Sequence, residues 1–148
     1  MKITKILHPT DFSECSKAAT KYAHSLAKQY GASVVMMYVV DDVTHNPGGW
    51  YVPHISLDEL TKDMEQSAQK QLERCCYETF RDVDKVERKV LRGVPDDVIA
   101  NYARDNGVDL IVMGTHGKSG MDFVFGSTTE KVIRKADCPV LCVKGKES

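Results

Sequence analysis

The stretch from Leu110 to Thr129 constrains this chain more than any other. Leu110-Ile-Val-Met113 is a continuous apolar run bounded by Asp109 and Gly114, the pattern of a parallel strand buried on both faces. Gly114, Gly117 and Gly120 recur at every third position, where a missing Cβ lets backbone approach a ligand closely. Gly126-Ser127-Thr128-Thr129-Glu130 then joins helix-capping residues to an acidic first turn. A buried strand feeding a glycine loop and a capped helix is how α/β proteins present N–H groups to phosphate, so this junction predicts a nucleotide site. Two narrower motifs fail on spacing. The P-loop G-x-x-x-x-G-K-[ST] needs a glycine where Val112 stands, and glycines at 114, 117 and 120 do not make the G-x-G-x-x-G of dinucleotide folds.

The remaining elements alternate around that junction. Lys5 to Pro9 reads as a short strand, and Ser13 caps a helix whose stripe is Ala18, Ala19, Tyr22, Ala23, Leu26, Ala27 and Tyr30, closed by Gly31. Ser33 to Val40 is a second buried strand. Residues 43 to 56, with Pro47, Gly48, Gly49 and Pro53, break all periodicity and form the long irregular loop. Helix resumes from about Leu57 to Phe80, a third strand covers Asp84 to Leu91, and Gly93-Val94-Pro95-Asp96 opens another helix. After the glycine loop come a helix from Ser127 to Lys135 and a strand over Pro139 to Val143. Five strands alternating with four helices predict one α/β domain over 1–148: an open, five-stranded, doubly wound parallel sheet with right-handed crossovers. Ligands of such sheets bind beyond the carboxyl ends of the strands, where strand order reverses. Pro9-Thr10-Asp11, Val39 to Asp42 and the segment from Gly114 onward therefore converge on one site.

Composition narrows the partners. Twenty basic against 21 acidic residues give a net charge of −1, which offers no electrostatic footprint for nucleic acid or an anionic membrane. No segment approaches the apolar length of a membrane span, so a cytoplasmic protein is expected. The five cysteines, at 15, 75, 76, 138 and 142, form no C-x-x-C pair and read as reduced, packed thiols. His45, Trp50, Tyr51 and His54 share the long loop, where a solvated loop with a packed Trp outweighs a lid, a metal site or a partner surface. His116 lies inside the glycine loop, as a local packing group or a ligand contact. Asp11 either meets a ligand or caps the helix that follows.

At these residues the chain resembles the universal stress protein family, in its ATP-binding branch. The resemblance covers nearly the whole chain: Ile6-Leu7-His8-Pro9-Thr10-Asp11-Phe12-Ser13-Glu14, Tyr38-Val39-Val40, Gly93-Val94-Pro95, Met113-Gly114-Thr115-His116-Gly117, Gly126-Ser127 and Pro139-Val140-Leu141. It implies a flavodoxin-like sheet of order 3-2-1-4-5 and bound ATP, or ADP or AMP. By match to the family motif, Asp11 and Val39 would meet the adenine or ribose end, with Pro9 and Thr10 shaping that wall. Met113 and Gly114 would lie against the nucleoside, while Gly117, Lys118, Gly126, Ser127 and Thr128 would hold phosphates, with Mg²⁺ bound through them. The resemblance also implies a homodimer through strand five, Val140 to Val143, whose apolar edge suits pairing. One departure stands out: the family's phosphate loop is usually G-x2-G-x9-G-[ST], and here eight residues, Lys118 to Phe125, separate Gly117 from Gly126. The expected function is a dimeric, nucleotide-dependent stress-response module acting on a protein partner the residues do not name, with slow or no hydrolysis. The alternatives are a slow hydrolase or phosphotransferase using Lys118 and His116, and a scaffold with a collapsed loop.

Overall fold

The computed structural model describes residues 1–41, 57–116 and 125–145. In chain order these form β1 (Lys5–Pro9), α1 (Glu14–Tyr30), β2 (Ser33–Asp41), α2 (Leu57–Thr79), β3 (Val86–Gly93), α3 (Pro95–Asp105), β4 (Leu110–Gly114), α4 (Ser127–Lys135) and β5 (Val140–Val143). All pairings are parallel and the order is β3-β2-β1-β4-β5. The irregular loop 43–56 expected from the sequence lies outside the described residues.

The central strands read as apolar runs because helices cover both of their faces. Alternate residues face opposite layers. Ile6, Val34, Met36 and Val112 pack with Ala19, Ala23 and Ala27 of α1 and Leu72 of α2. Leu7, Val35, Met37, Ile111 and Met113 pack with Ile99 and Ala103 of α3 and Val132 of α4. The alanine stripe brings α1 close to the sheet. So close, in fact, that a Cβ on Gly114 would stand 2.8 Å from the backbone carbon and Cβ of Cys15. Ser13 caps α1 by accepting the Ser16 N–H, and Gly31 ends it in the left-handed conformation at φ 64°.

Several elements differ from the sequence reading. The buried stripe of α1 is Ser16, Ala19, Thr20, Ala23 and Ala27, so Tyr22 and Tyr30, expected inside, are 55% and 46% exposed. Long apolar side chains are not needed where the helix lies this near the sheet. β3 runs two residues past Leu91 because β2 continues to Asp41 and keeps pairing, Val39 with Leu91, Val40 with Arg92 and Asp41 with Gly93. The five cysteines are free and half-buried rather than fully packed away. Burial, then the neighbouring Cys75, pushes the Cys76 thiol up to about 11, which keeps it protonated and unreactive. Among the described residues, no helix is long and apolar enough to cross a membrane.

Candidate functional site

β1, β2 and β3 are added in one direction across the sheet and β4 is laid on the other side of β1, so the reversal falls between β1 and β4. A cleft of about 220 Å³ opens there, at the carboxyl ends of the strands. Its first wall is the turn after β1. The Thr10 N–H donates to the Met37 carbonyl at 2.9 Å, which extends the β1 register by one step. Thr10 Oγ1 accepts the Phe12 N–H at 3.0 Å, and Oδ1 of Asp11 accepts from the Ser13 N–H at 3.0 Å and the Ser16 hydroxyl at 2.9 Å. Asp11 therefore does the local work of a turn residue with one oxygen, while no described residue bonds its Oδ2. Phe12 is held at φ 63°, a left-handed conformation costing a bulky residue about 1–2 kcal/mol. Its ring stacks on Tyr38 at 5.5 Å between centroids and 16° between planes. Burial, then the Asp11 charge, raises the Tyr38 phenol, which stays a neutral donor.

The opposite wall is the start of α4. The Gly126 N–H donates to the Thr115 carbonyl at 2.8 Å, and the buried Thr129 hydroxyl donates to the Gly114 carbonyl at 2.9 Å. These two bonds fix the helix start over the end of β4. Gly126 is the N-cap and has no side chain to offer, so no side-chain cap closes the helix. The first turn, whose N–H groups every helix leaves without internal partners, thus stands uncapped by a side chain where Gly126, Ser127, Thr128 and Thr129 line the cleft. His116 shares Nδ1 with the Thr115 hydroxyl at 2.9 Å, and its Nε2 is buried without a hydrogen-bond partner among the described residues. A buried orphan of this kind calls for an explanation, and a ligand in the cleft supplies one.

Pro9, Thr10, Asp11, Val39, Met113, Gly114, His116, Gly126, Ser127 and Thr128, all singled out from the sequence, line this one cleft. Gly117 and Lys118 lie outside the described residues, as do His45, Trp50, Tyr51 and His54. The sequence reading missed Ser16, Met37, Tyr38, Pro95, Ile99 and Thr129, which also line it. Ser16 carried a signal, standing three residues after the N-cap Ser13. Pro95 was read as opening a helix, but nothing local showed that this helix brings Pro95 and Ile99 to the cleft. α3 and α4 are further tied by Lys135, whose Nζ donates to Asp96 Oδ2 at 2.5 Å and Asp97 Oδ1 at 2.6 Å. Those carboxylates raise the ammonium above its ordinary value. Among the described residues no group of three or more His, Cys, Asp or Glu could hold a metal ion.

A doubly wound parallel sheet in this order, with a cleft at its switch point between a strand-end carboxylate and an open helix N-terminus, defines a flavodoxin-like α/β protein. The profile of the universal stress protein family matches residues 2–144, and the chain belongs to that family. It is 39% identical to universal stress protein MJ0531 of Methanocaldococcus jannaschii over 95% of this chain and 81% of the relative. The solved structure of MJ0577, from the same organism, superposes with a TM-score of 0.85 at 34% identity over 100% of both chains. Universal stress protein UspA from Lactobacillus plantarum gives a TM-score of 0.83 at 28% identity, over 97% of this chain and 99% of that one.

Proposed function

We infer that residues 1–148 act as one nucleotide-binding domain that takes ATP, or its products ADP and AMP, into the cleft between β1 and β4. The α4 N-terminus carries this reading: its first turn, without a side-chain cap, lines the cleft beside Nε2 of His116, which has no partner among the described residues. A phosphate chain supplies acceptors to all of them, and the Ser127 and Thr128 hydroxyls add donors. Gly117, Lys118 and Gly126 belong to the same phosphate side by the family motif. Pro9, Thr10, Asp11 and Val39 form the nucleoside end, with Met113 and Gly114 beneath it. Asp11 is the only carboxylate among the described lining residues, so Mg²⁺ is held by the phosphates and water rather than by a protein cage. Two solved family members of this fold, at 20% and 21% identity, are complexes with cAMP and, for the Archaeoglobus fulgidus protein, with dAMP. Those ligands belong to those proteins; the case for this chain rests on its own cleft.

The protein serves as a cytoplasmic, nucleotide-dependent binding module of the stress response, with slow or no hydrolysis and with a protein partner. It acts as a homodimer paired along β5. The two sheet edges support that choice: β3 carries Glu87, Arg88, Lys89 and Arg92, which deter strand addition, whereas β5 is Val-Leu-Cys-Val. Denaturing extraction of the purified protein, followed by calorimetric titration of ATP-Mg²⁺ into the stripped form, tests the nucleotide reading. Stoichiometric ATP or micromolar binding that Gly126→Val abolishes supports it. A protein that emerges empty and gives no heat with ATP refutes it and leaves the scaffold reading.

A further inference from the structure

Resting on the nucleotide reading above, we propose that Lys135, through its pair with Asp96 and Asp97, is a positioning residue that sets the affinity for the phosphate end of the ligand and leaves the nucleoside end untouched. Besides Val132, which is fully buried in the core against the sheet and α3, α4 is tied to the rest of the described protein by polar contacts at its two ends. Its N-terminus hangs on β4 through Gly126 to Thr115 and Thr129 to Gly114. Its last residue, Lys135, reaches the first turn of α3. α3 contributes Pro95 and Ile99 to the cleft and α4 contributes Ser127 and Thr128, so this ion pair joins the two helices that flank the site.

Other pairs, Arg92–Glu65 and Arg88–Glu73 among them, also join separate elements, but among the described ion pairs this one has the most buried partner. Lys17–Glu14 and Arg134–Glu130 join residues one turn apart on one helix and stand well out in solvent, so they position nothing beyond themselves. The Asp96 side chain is only 6% exposed and Lys135 is its one described partner. A buried carboxylate holds its counter-ion tightly because the alternative is an uncompensated charge. Asp97, 54% exposed, gives the ammonium a second acceptor and fixes the side chain from two directions. Both charges also sit on favourable helix ends, the carboxylates in the first turn of α3 and the ammonium in the last turn of α4. Donors on an α4 held at both ends keep their aim, whereas a helix released at Lys135 tilts about the buried Val132 and carries its first-turn donors with it. Phosphate contacts respond to displacements of well under an ångström; contacts made by β1, β2 and β4 do not share that pivot.

The test titrates ATP and adenosine separately into the wild-type protein, Lys135→Met, Lys135→Arg and the double variant Asp96→Asn/Lys135→Met, which removes the buried charge should Lys135→Met alone fail to fold. The expected result is an affinity for ATP about tenfold weaker in Lys135→Met and in the double variant, adenosine affinity unchanged, and ATP binding largely restored in Lys135→Arg. An equal loss for ATP and adenosine overturns the proposal, because that is what general loosening of the fold does. No loss for either overturns it as well. Wild-type protein that binds adenosine and ATP equally overturns this proposal while leaving the nucleoside half of the site standing; wild-type protein that binds neither removes the nucleotide reading and this inference with it.

Discussion

His8 gives the most direct physical test of how this sheet is held together. It lies in β1 with no solvent exposure, its Nδ1 donating to the Val112 carbonyl at 2.8 Å and its Nε2 standing 2.8 Å from the Thr20 hydroxyl. Thr20 also lies 2.9 Å from the Ser16 carbonyl, so its single hydrogen goes either to Nε2 of the neutral ring or to Ser16. A protonated ring keeps both of its bonds, and the penalty against it is the loss of water. Burial accordingly lowers the imidazole from 6.5 to about 4, with the Val112 bond opposing. As pH falls below 6.5 the unfolded chain takes up a proton that the folded one refuses, so stability declines until about pH 4 and then levels. The gap between 6.5 and about 4, at about 1.4 kcal/mol per pH unit, amounts to about 3 kcal/mol, of which about 2 kcal/mol is gone by pH 5. Urea unfolding of wild type and His8→Gln at pH 7.5 and 5 isolates this contribution, because the carboxylates titrate alike in both. The wild-type protein is expected to lose about 2 kcal/mol more than the variant between those pH values. Parallel losses in the two proteins would refute the reasoning, and an NMR titration placing His8 near 6.5 would show that water reaches the ring.

Three further outcomes follow from contacts described above. Gly114→Ala drives a Cβ into the Cys15 backbone and is expected to cost about 1–3 kcal/mol in chemical denaturation, more than Gly145→Ala, whose Cβ meets the Cys15 sulfur; the opposite ranking would contradict this packing. Asp109 Oδ2 accepts from the Thr4 N–H, the Thr4 hydroxyl and the Lys5 N–H at 2.8, 2.8 and 3.0 Å, and the Thr4 bonds first among these lower its pKa. Asp109→Ala should therefore lose about 1–3 kcal/mol at pH 7, with the difference from wild type shrinking as pH falls below 3.8 and the carboxylate protonates; a difference that persists at pH 2 would point elsewhere. Leu141→Lys places a charge on the β5 edge and is expected to turn a dimer into a monomer by light scattering; unchanged mass would exclude β5 as the interface.

What could be read from the sequence is what depends on local pattern. The apolar run Leu110 to Met113 is a strand buried at every position, and the alternation of strands with helices gives the parallel, doubly wound sheet, whose order β3-β2-β1-β4-β5 matches what the family resemblance implied. Residues named from the strand ends and the glycine loop come to one cleft because parallel strands deliver their carboxyl ends to the same side. What escaped depends on register and separation. The two tyrosines of α1 looked apolar enough for its inner stripe, yet the short distance from helix to sheet admits only small side chains, and that distance is set by Gly114, far along the chain. Ile99 reaches the cleft because α3 packs across the sheet with Leu7, Met37 and Met113, a tertiary contact that no local pattern displays. The role of Ser16 toward Asp11 joins the first turn of α1 to the turn before it, and its spacing from the N-cap Ser13 is the one trace it left in the sequence.

The unequal lengths of the strands have a meaning of their own. β1 stops at Pro9, opposite Met37, whereas β2 runs on to Asp41 with β3 alongside. Met37 turns its carbonyl toward β1, where Thr10 takes it, and peptide groups alternate sides, so Val39 directs its N–H and C=O toward ground that β1 has vacated. Among the described residues the site is thus an unfinished ladder inside the sheet, an internal edge whose donor and acceptor at Val39 meet no strand. A flat molecule carrying a matching acceptor and donor would complete it as a missing strand would. Extending β1 by two residues would seal that gap with the protein's own backbone.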